Sequence, residues 1–207
     1  MLFRAILTFP IRLALEKVSP AYKRQLAKQI ATLCDDRARI LDVGCNDGHV
    51  AALMLEYKPS LTIVGVDVQA NRPAMIERII YDGKNLPFPD GSFDVVMVND
   101  VLHHVTEMKV LLKEMLRVSK RYVIIKDHQK LGVLSYLCLS VGDYLGNVPY
   151  GIPCLFKYNS LNEWKRLFNE LNLKLVADPE KLKFGFGLFQ QHNPIFKLEK
   201  SGKNISD

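Results

Sequence analysis

The sequence predicts an α/β domain organised on a largely parallel sheet. Several apolar runs (RILDV, LTIVGVDV, FDVVMVN and RYVIIK) are near-continuous rather than alternating, as strands buried on both faces require. Segments with helical periodicity stand between or after most of these runs. The first run also leads directly into a glycine turn and an apolar helix, in RILDVGCNDGHVAALMLEY. That strand–loop–helix order leaves unpaired backbone N–H groups at the end of a sheet, where α/β proteins bind ligands.

The 207 residues suffice for one domain with a good core, or one domain with short additions. A hydrophobic fraction of 48% with 24% charged residues excludes global disorder. The net charge of +6 permits contact with anionic lipid or nucleic acid without establishing either. Cys34, Cys45, Cys138 and Cys154 show no CxxC pair or metal-ligand spacing, and read as core or loop thiols. No apolar segment has the length of a spanning helix, and a cytoplasmic protein is expected. Residues 1–18, MLFRAILTFPIRLALEKV, mix apolar side chains with Arg4, Arg12 and Lys17, and Pro10 interrupts any helix. They suit packing over the domain, or peripheral docking at an anionic membrane.

Along the chain, AYKRQLAKQIATLC follows Pro20 as a helix with Leu26, Ile30 and Leu33 towards one side. Gly44 and Gly48 then allow the tight turn after the first strand. The loop lacks the lysine and hydroxyl of a triphosphate-binding loop and the full G-x-G-x-x-G fingerprint. Asp42 and Asp47 flank it instead, which suits a ligand bearing an ammonium group or hydroxyls better than a pyrophosphate. LTIVGVDV is a second buried strand ending at Asp67. That carboxylate, roughly 20 residues beyond the glycine turn, is placed to accept hydrogen bonds from both hydroxyls of a ribose; a turn-forming aspartate is the plain alternative.

The next interval, QANRPAMIERIIYDGKNLPF, contains Pro73 and little room for a crossover helix. A loop should join the second strand to a third around MIERIIY. Asp82 and Gly83 at its end can frame a planar group, although loop structure alone explains them as well. SFDVVMVNDVLHHV gives a fourth strand ending at Asn99-Asp100, with His103 and His104 opening the following helix. Asp100 or His104 can orient a substrate or move a proton. Adjacent histidines on a helix diverge, so they are expected to be a poor pair of metal ligands, and no metal is expected.

EMKVLLKEMLRVS reads as a helix burying Val110, Leu111, Met115 and Leu116, with Lys113 and Arg117 snorkelling or facing water. RYVIIKDH is a fifth strand with Lys126, Asp127 and His128 at its end, either site residues or a salt-bridged turn. Residues 131–158 carry Tyr136, Tyr144, Tyr150, Phe156 and Tyr158 among glycines. They suit an apolar lid over the sheet edge, or alternatively a dimer surface. Ser160 and Glu163 have capping-box spacing before a helix anchored by Trp164, Leu167, Phe168 and Leu171. LKLVADP and NPIFKLEK are the sixth and seventh strands, the last antiparallel, with KLKFGFGLFQQH as a connection or part of a long hairpin. Residues 201–207 read as a tail, and no internal repeat is apparent.

The ordered set LDVGCNDG, VGVDV, YDGKNLPFPDGSFDVVMVNDVLHHV and LLKEMLRVSKRYVIIKDH resembles the class I S-adenosylmethionine-dependent methyltransferases, in particular the type 11 group. The resemblance spans residues 38–200, after an N-terminal helical extension at 1–37. It implies a Rossmann-like seven-stranded mixed sheet with flanking helices, here with a shortened connection after strand 2 and a lid inserted after strand 5. It implies S-adenosylmethionine as cofactor and S-adenosylhomocysteine as product. Asp42, Gly44, Cys45 and Asn46 then fall around the methionine part with Gly48 supporting its close packing, Asp67 and Val68 at the ribose, and Asp82 and Gly83 on the adenine side. Asn99 and Asp100 fall where the methionine end meets the reacting centre.

The chemistry so implied is displacement at a sulfonium methyl, for which alignment matters more than acid–base help. Asp100, His104, Asp127 and His128 are the candidates for holding the acceptor or its proton. The apolar lid favours a small or medium hydrophobic acceptor, lipid-like if residues 1–18 touch a membrane. An RNA methyltransferase is a weaker alternative, since no basic stripe with interleaved aromatics supports a nucleic-acid partner. A non-catalytic S-adenosylmethionine-binding or interaction module is another. Composition leaves the oligomeric state open.

Overall fold

The computed structural model describes residues 20–70, 72–148, 151–184 and 191–200. Residues 1–18, and with them the membrane-docking expectation, lie outside the described residues, as does the tail at 201–207. Five strands run parallel: β1 (Arg39–Val43), β2 (Thr62–Asp67), β3 (Arg78–Ile80), β4 (Phe93–Asn99) and β5 (Ser119–Lys126). Helices α1 (residues 20–33), α2 (His49–Tyr57), α3 (Met108–Val118), α4 (Val133–Asn147) and α5 (Leu161–Glu170) accompany them. Three antiparallel strands complete the sheet: β6 (Leu173–Leu175), β7 (Glu180–Phe184) and β8 (Gln191–Lys200).

The spatial order is β3-β2-β1-β4-β5-β8-β6, seven strands in one path, with β7 paired to the first half of β8 as a hairpin arm. Pairing on β8 changes over at Ile195. Gln191–Ile195 meets β7, while Ile195–Lys200 meets β5 and β6. The sheet reverses its winding between β1 and β4, which opens a crevice at their carboxyl ends.

Strand parity sorts the core into two layers. Leu41, Val43, Val64, Val66, Val96, Val98, Val123 and Ile125 face α3 and α5, where Leu112, Met115, Leu116, Trp164 and Phe168 are buried against them. Ile40, Ile63, Val95, Met97 and Ile124 face the other way, onto Leu26, Ala27 and Ile30 of α1 and Ala51 and Met54 of α2. Buried on both faces, these strands could not alternate apolar with polar residues.

The capping box at α5 forms as its spacing indicates. Ser160 Oγ accepts from the Glu163 N–H at 3.3 Å, and the Ser160 N–H donates to Glu163 Oε2 at 2.6 Å. Between β2 and β3 the described residues contain no helix, in keeping with the short interval around Pro73. One side chain on α3 departs from expectation. Val110 is 48% exposed, and Leu112 takes its place in the core because the buried face runs through 111, 112, 115, 116 and 118. Of the two readings for Arg117, the side chain takes the partly covered one, 32% exposed. Its guanidinium donates to Glu114, to Asp90 and to the carbonyls of Leu86 and Phe88, clamping the LPFPD turn against α3.

Candidate active site

The carboxyl ends of β1, β2 and β4, the loops that follow them, and the far end of α4 enclose an open cavity of about 1350 Å³. Twelve of the fourteen residues singled out in the sequence line it: Asp42, Gly44, Cys45, Asn46, Asp67, Val68, Asp82, Gly83, Asn99, Asp100, His104 and His128. Gly48 and Asp127 are not among its lining residues.

The glycine turn owes its shape to close approaches. Gly44 has φ +73°, and a Cβ there would lie 2.5 Å from Val101 Cγ2. Gly48, at φ +71°, is covered by Ile76, whose Cγ1 would meet a Cβ at 2.5 Å. Gly48 thus supports the turn from behind rather than facing the cavity. The N–H groups of Gly44 and Cys45 both donate to the Val66 carbonyl, at 2.8 and 3.1 Å, tying the turn to β2. Asp67 completes the tie by accepting from the Asn46 N–H at 2.7 Å and the Gln69 N–H at 3.0 Å. An ionised carboxylate offers about four lone-pair positions, so Asp67 retains acceptor capacity towards the cavity.

Asp42 is buried at the end of β1. Burial first, and the nearby Asp67 charge second, push its carboxyl up to about 7, against a hydrogen bond from Asn99. Asn99 Oδ1 has no hydrogen-bond partner although it is buried. An orphaned acceptor of this kind is costly unless a ligand or water meets it. Asp82 is occupied with its own turn, accepting from the N–H groups of Lys84 and Asn85, both at 2.8 Å.

A second group of polar side chains backs the β4 and β5 ends. Asp100, in the left-handed region at φ +54°, accepts from the buried Lys126 ammonium. Burial opposes ionisation of both, but their mutual attraction wins: Asp100 falls to about 2 and Lys126 stays protonated. Its place at the end of β5 predicts Asp127 at the reacting edge. It is instead buried behind it, with Oδ1 2.5 Å from His103 Nδ1 and 2.7 Å from the His128 N–H. Its Oδ2 accepts from the His103 N–H at 3.2 Å. The aspartate therefore orients the turn that follows β4.

That turn, Leu102–His104, is a single 3₁₀ turn rather than the opening of a helix. The tighter winding brings the adjacent histidines to the same neighbour. Their ring centroids are 4.1 Å apart, and each Nε2 lies 3.5 Å from Asp143 Oδ1. The expected divergence of the two rings assumed α-helical geometry. Burial works against a charge on His103, but Asp127 and Asp143 overcome it and raise the imidazole to about 10. Burial and the neighbouring His103 lower His104, whose Nδ1 donates to the Pro153 carbonyl at 2.9 Å. Burial lowers His128 as well; its Nδ1 lies 2.7 Å from Asn193 Oδ1, and its Nε2 turns to Asp100 at 3.6 Å.

Asp143, Asn193 and Tyr158 were not singled out for this role. Asp143 was detectable in principle as the one acid in the otherwise apolar helix VLSYLCLSVGDYLGN, since a lone carboxylate there implies buried partners. Tyr158 donates to its Oδ2 at 2.9 Å. Asn193 lies on β8, some 65 residues from His128, and only the antiparallel return of the chain brings them together. The lid expectation meets α4 itself: Gly146, Asn147, Ile152 and Pro153 form part of the cavity wall, while Val133, Leu134, Leu137 and Val141 on the same segment are more than half exposed. No helix among the described residues is long and apolar enough to cross a membrane.

Comparison with known proteins places this architecture. Residues 15–178 match the family described as "Methyltransferase domain". The demethylmenaquinone methyltransferase of Thermotoga maritima is 32% identical over 90 residues, covering 40% of this chain and 39% of that protein. An uncharacterised methyltransferase of Mycobacterium tuberculosis is 31% identical over 133 residues, covering 61% of this chain and 64% of that protein. The chain thus spans less than two thirds of the length of these curated relatives. The solved structure of magnesium protoporphyrin IX methyltransferase from Synechocystis, with bound S-adenosylhomocysteine, superposes with a TM-score of 0.62. That match covers 90% of this chain and 87% of the other at 15% identity, which speaks for the fold alone. With the family match over most of its length, the chain belongs to the class I S-adenosylmethionine-dependent methyltransferase family.

Proposed function

We propose that the cavity binds S-adenosylmethionine and that the domain transfers its methyl group to a small or medium hydrophobic acceptor. The observation that carries the reading is the convergence of the 44–48 turn, Asp67 and the unpartnered Asn99 Oδ1 on one space. These groups suit the cofactor's parts. Asp67 keeps lone pairs for ribose hydroxyls, and Asp42 with Asn99 offers acceptors to an ammonium group. Val68 and the Asp82–Gly83 turn supply a wall for the adenine.

The cofactor supplies an electron-poor methyl carbon on a sulfonium. The chain holds the two reactants in line and keeps water from the methyl carbon, which is where most of such a rate advantage arises. His128, with its Nε2 3.6 Å from Asp100, borders the cavity and serves to orient the acceptor, while His104 contributes to the wall. Asp127 acts through His103 and His128 rather than on the acceptor.

Support for an apolar acceptor comes from Val101, Val105, Leu111 and Ile152 on the cavity wall. It also comes from a relative named for demethylmenaquinone. Calorimetric titration with S-adenosylmethionine should show one site per chain. Methyl-labelled cofactor, offered with a panel of quinone-like, aromatic and lipid-extract acceptors, should label the organic-soluble fraction. Absence of cofactor binding by the folded chain overturns the whole reading. Binding without transfer to any acceptor class would make the domain a cofactor-binding module instead.

A further inference from the structure

Beside the cavity, the 3₁₀ turn after β4 and the middle of α4 face each other through His103, His104 and Asp143. One potential ligand atom from each lies within 4.8 Å of the others, and both Nε2 atoms approach Asp143 Oδ1. We propose that these three side chains form a binding site for a divalent first-row transition ion, zinc being the best match.

Three features argue for an ion rather than for hydrogen bonds alone. The first is spacing. Both Nε2···Oδ1 separations are 3.5 Å, long for a charge-assisted hydrogen bond, which is about 2.7–2.9 Å. Donors about 2.1 Å from a shared tetrahedral ion stand about 3.4 Å apart, so two edges of the coordination polyhedron are already set.

The second is orientation from behind. His103 Nδ1 is held by the Asp127 carboxylate at 2.5 Å and His104 Nδ1 by the Pro153 carbonyl at 2.9 Å. In each ring the held nitrogen carries the proton, which leaves Nε2 as the ligand atom. A carboxylate or a backbone carbonyl behind the ligating imidazole is the arrangement that fixes metal-binding histidines. Asp143 is oriented in the same way, by Tyr158 Oη at 2.9 Å on Oδ2 and by Asn147 Nδ2 at 2.6 Å on Oδ1.

The third is charge. The side chains of Asp127 and Asp143 are each only 2% exposed, and no lysine or arginine is paired with either among the described residues. A buried carboxylate that stays ionised is paired with a cation or coordinates a metal. A divalent ion on the Nε2 side neutralises both without leaving His103 as the sole carrier of positive charge.

Two neutral imidazoles and one carboxylate form a ligand set that zinc accepts, with a fourth position left over. His104 borders the cavity whereas His103 and Asp143 are buried, so the fourth position opens beside His104. The ion would bridge an element of the sheet edge to α4 and pin that helix as a wall of the cavity. The inference stands whether or not the cavity takes the nucleoside, because none of the three donors is among the groups assigned to the cofactor.

The test uses the full chain, stripped with a chelator and dialysed. Titration with zinc chloride should show one ion per chain at micromolar affinity or tighter, and a rise in melting temperature as the folded state binds the ion. Substituting cobalt(II) should give the visible absorption of a four-coordinate site with nitrogen and oxygen donors. Asp143→Asn and His104→Ala should each weaken zinc binding by about tenfold or more, whereas the surface variant Asp36→Asn should not. Failure of the stripped wild-type chain to bind zinc or cobalt stoichiometrically overturns the proposal, and identifies the cluster as a proton-bridged one. Undiminished binding in folded Asp143→Asn and His104→Ala overturns it equally, since the ion would then sit elsewhere.

Discussion

The Asn46 amide donates to the Asp67 carboxylate at 2.7 Å, joining the turn after β1 to the end of β2 across 21 residues of sequence. One side chain thereby shapes the wall of the cavity and keeps acceptor capacity facing into it. Position and chemistry are coupled at this point.

Replacing Asp67 should therefore have two separable effects. Asp67→Ala should weaken S-adenosylmethionine binding by about 1–3 kcal/mol, the range for losing hydrogen bonds to a charged group. It should also lower the melting temperature, because two backbone N–H groups lose their acceptor. Calorimetry on the folded variant checks the first effect; unchanged affinity would remove Asp67 from the cofactor's surroundings.

At the glycine turn, backbone conformation and contact can be told apart. Gly44 and Gly91 both have positive φ, at +73° and +59°. A methyl group at Gly44 collides with Val101, whereas at Gly91 its nearest neighbour is Lys120 Cγ at 3.6 Å. Gly91→Ala should cost about 1–2 kcal/mol of stability from the left-handed backbone alone. Gly44→Ala should cost about 1–3 kcal/mol more, from forcing a methyl into packed surroundings, and should disturb cofactor binding. Chemical denaturation of both variants separates the two contributions.

Asp42 gives the site a pH dependence of defined sign. Its folded-state carboxyl titrates at about 7, held up by burial and by Asp67, against an ordinary value of 3.8. Between those values the folded chain binds a proton that the unfolded chain does not. This contribution to stability is therefore full below about 4 and is lost as pH rises through 7. Affinity for a cationic ligand should run the other way. Binding that needs the ionised carboxylate weakens as pH falls below 7, by about tenfold per unit at most. Titrations at several pH values check this, and Asp42→Asn should flatten the profile.

The cap of α5 offers a purely structural contrast. Ser160→Ala removes the acceptor for the Glu163 N–H and should cost about 1 kcal/mol of stability. Cofactor affinity should stay unchanged, since Ser160 is not among the residues lining the cavity. Thermal melts paired with calorimetry test both halves.

What the sequence by itself determined was whatever depends on neighbours along the chain. The near-continuous apolar runs announced strands covered on both faces, and the two core layers show why: alternate residues of β1, β2, β4 and β5 are needed by helices on opposite sides. The Ser160–Glu163 cap, the Gly44 turn and the helix-free step from β2 to β3 follow from local geometry that residue type imposes. Asp42, Asp67 and Asn99 were legible because each stands at the end of a strand in a parallel sheet, where direction alone fixes the edge they occupy.

Tertiary structure decided the rest. Leu112 rather than Val110 belongs to the core because the pitch of α3 against the sheet selects the face. His103 and His104 converge because the turn after β4 is 3₁₀, and because Asp143 arrives from α4, some 40 residues on. Asp127 lies behind the cavity wall because the same turn folds over its carboxylate. Such arrangements arise from side chains far apart in the chain competing for one buried space, and periodicity along a single segment holds no record of that competition.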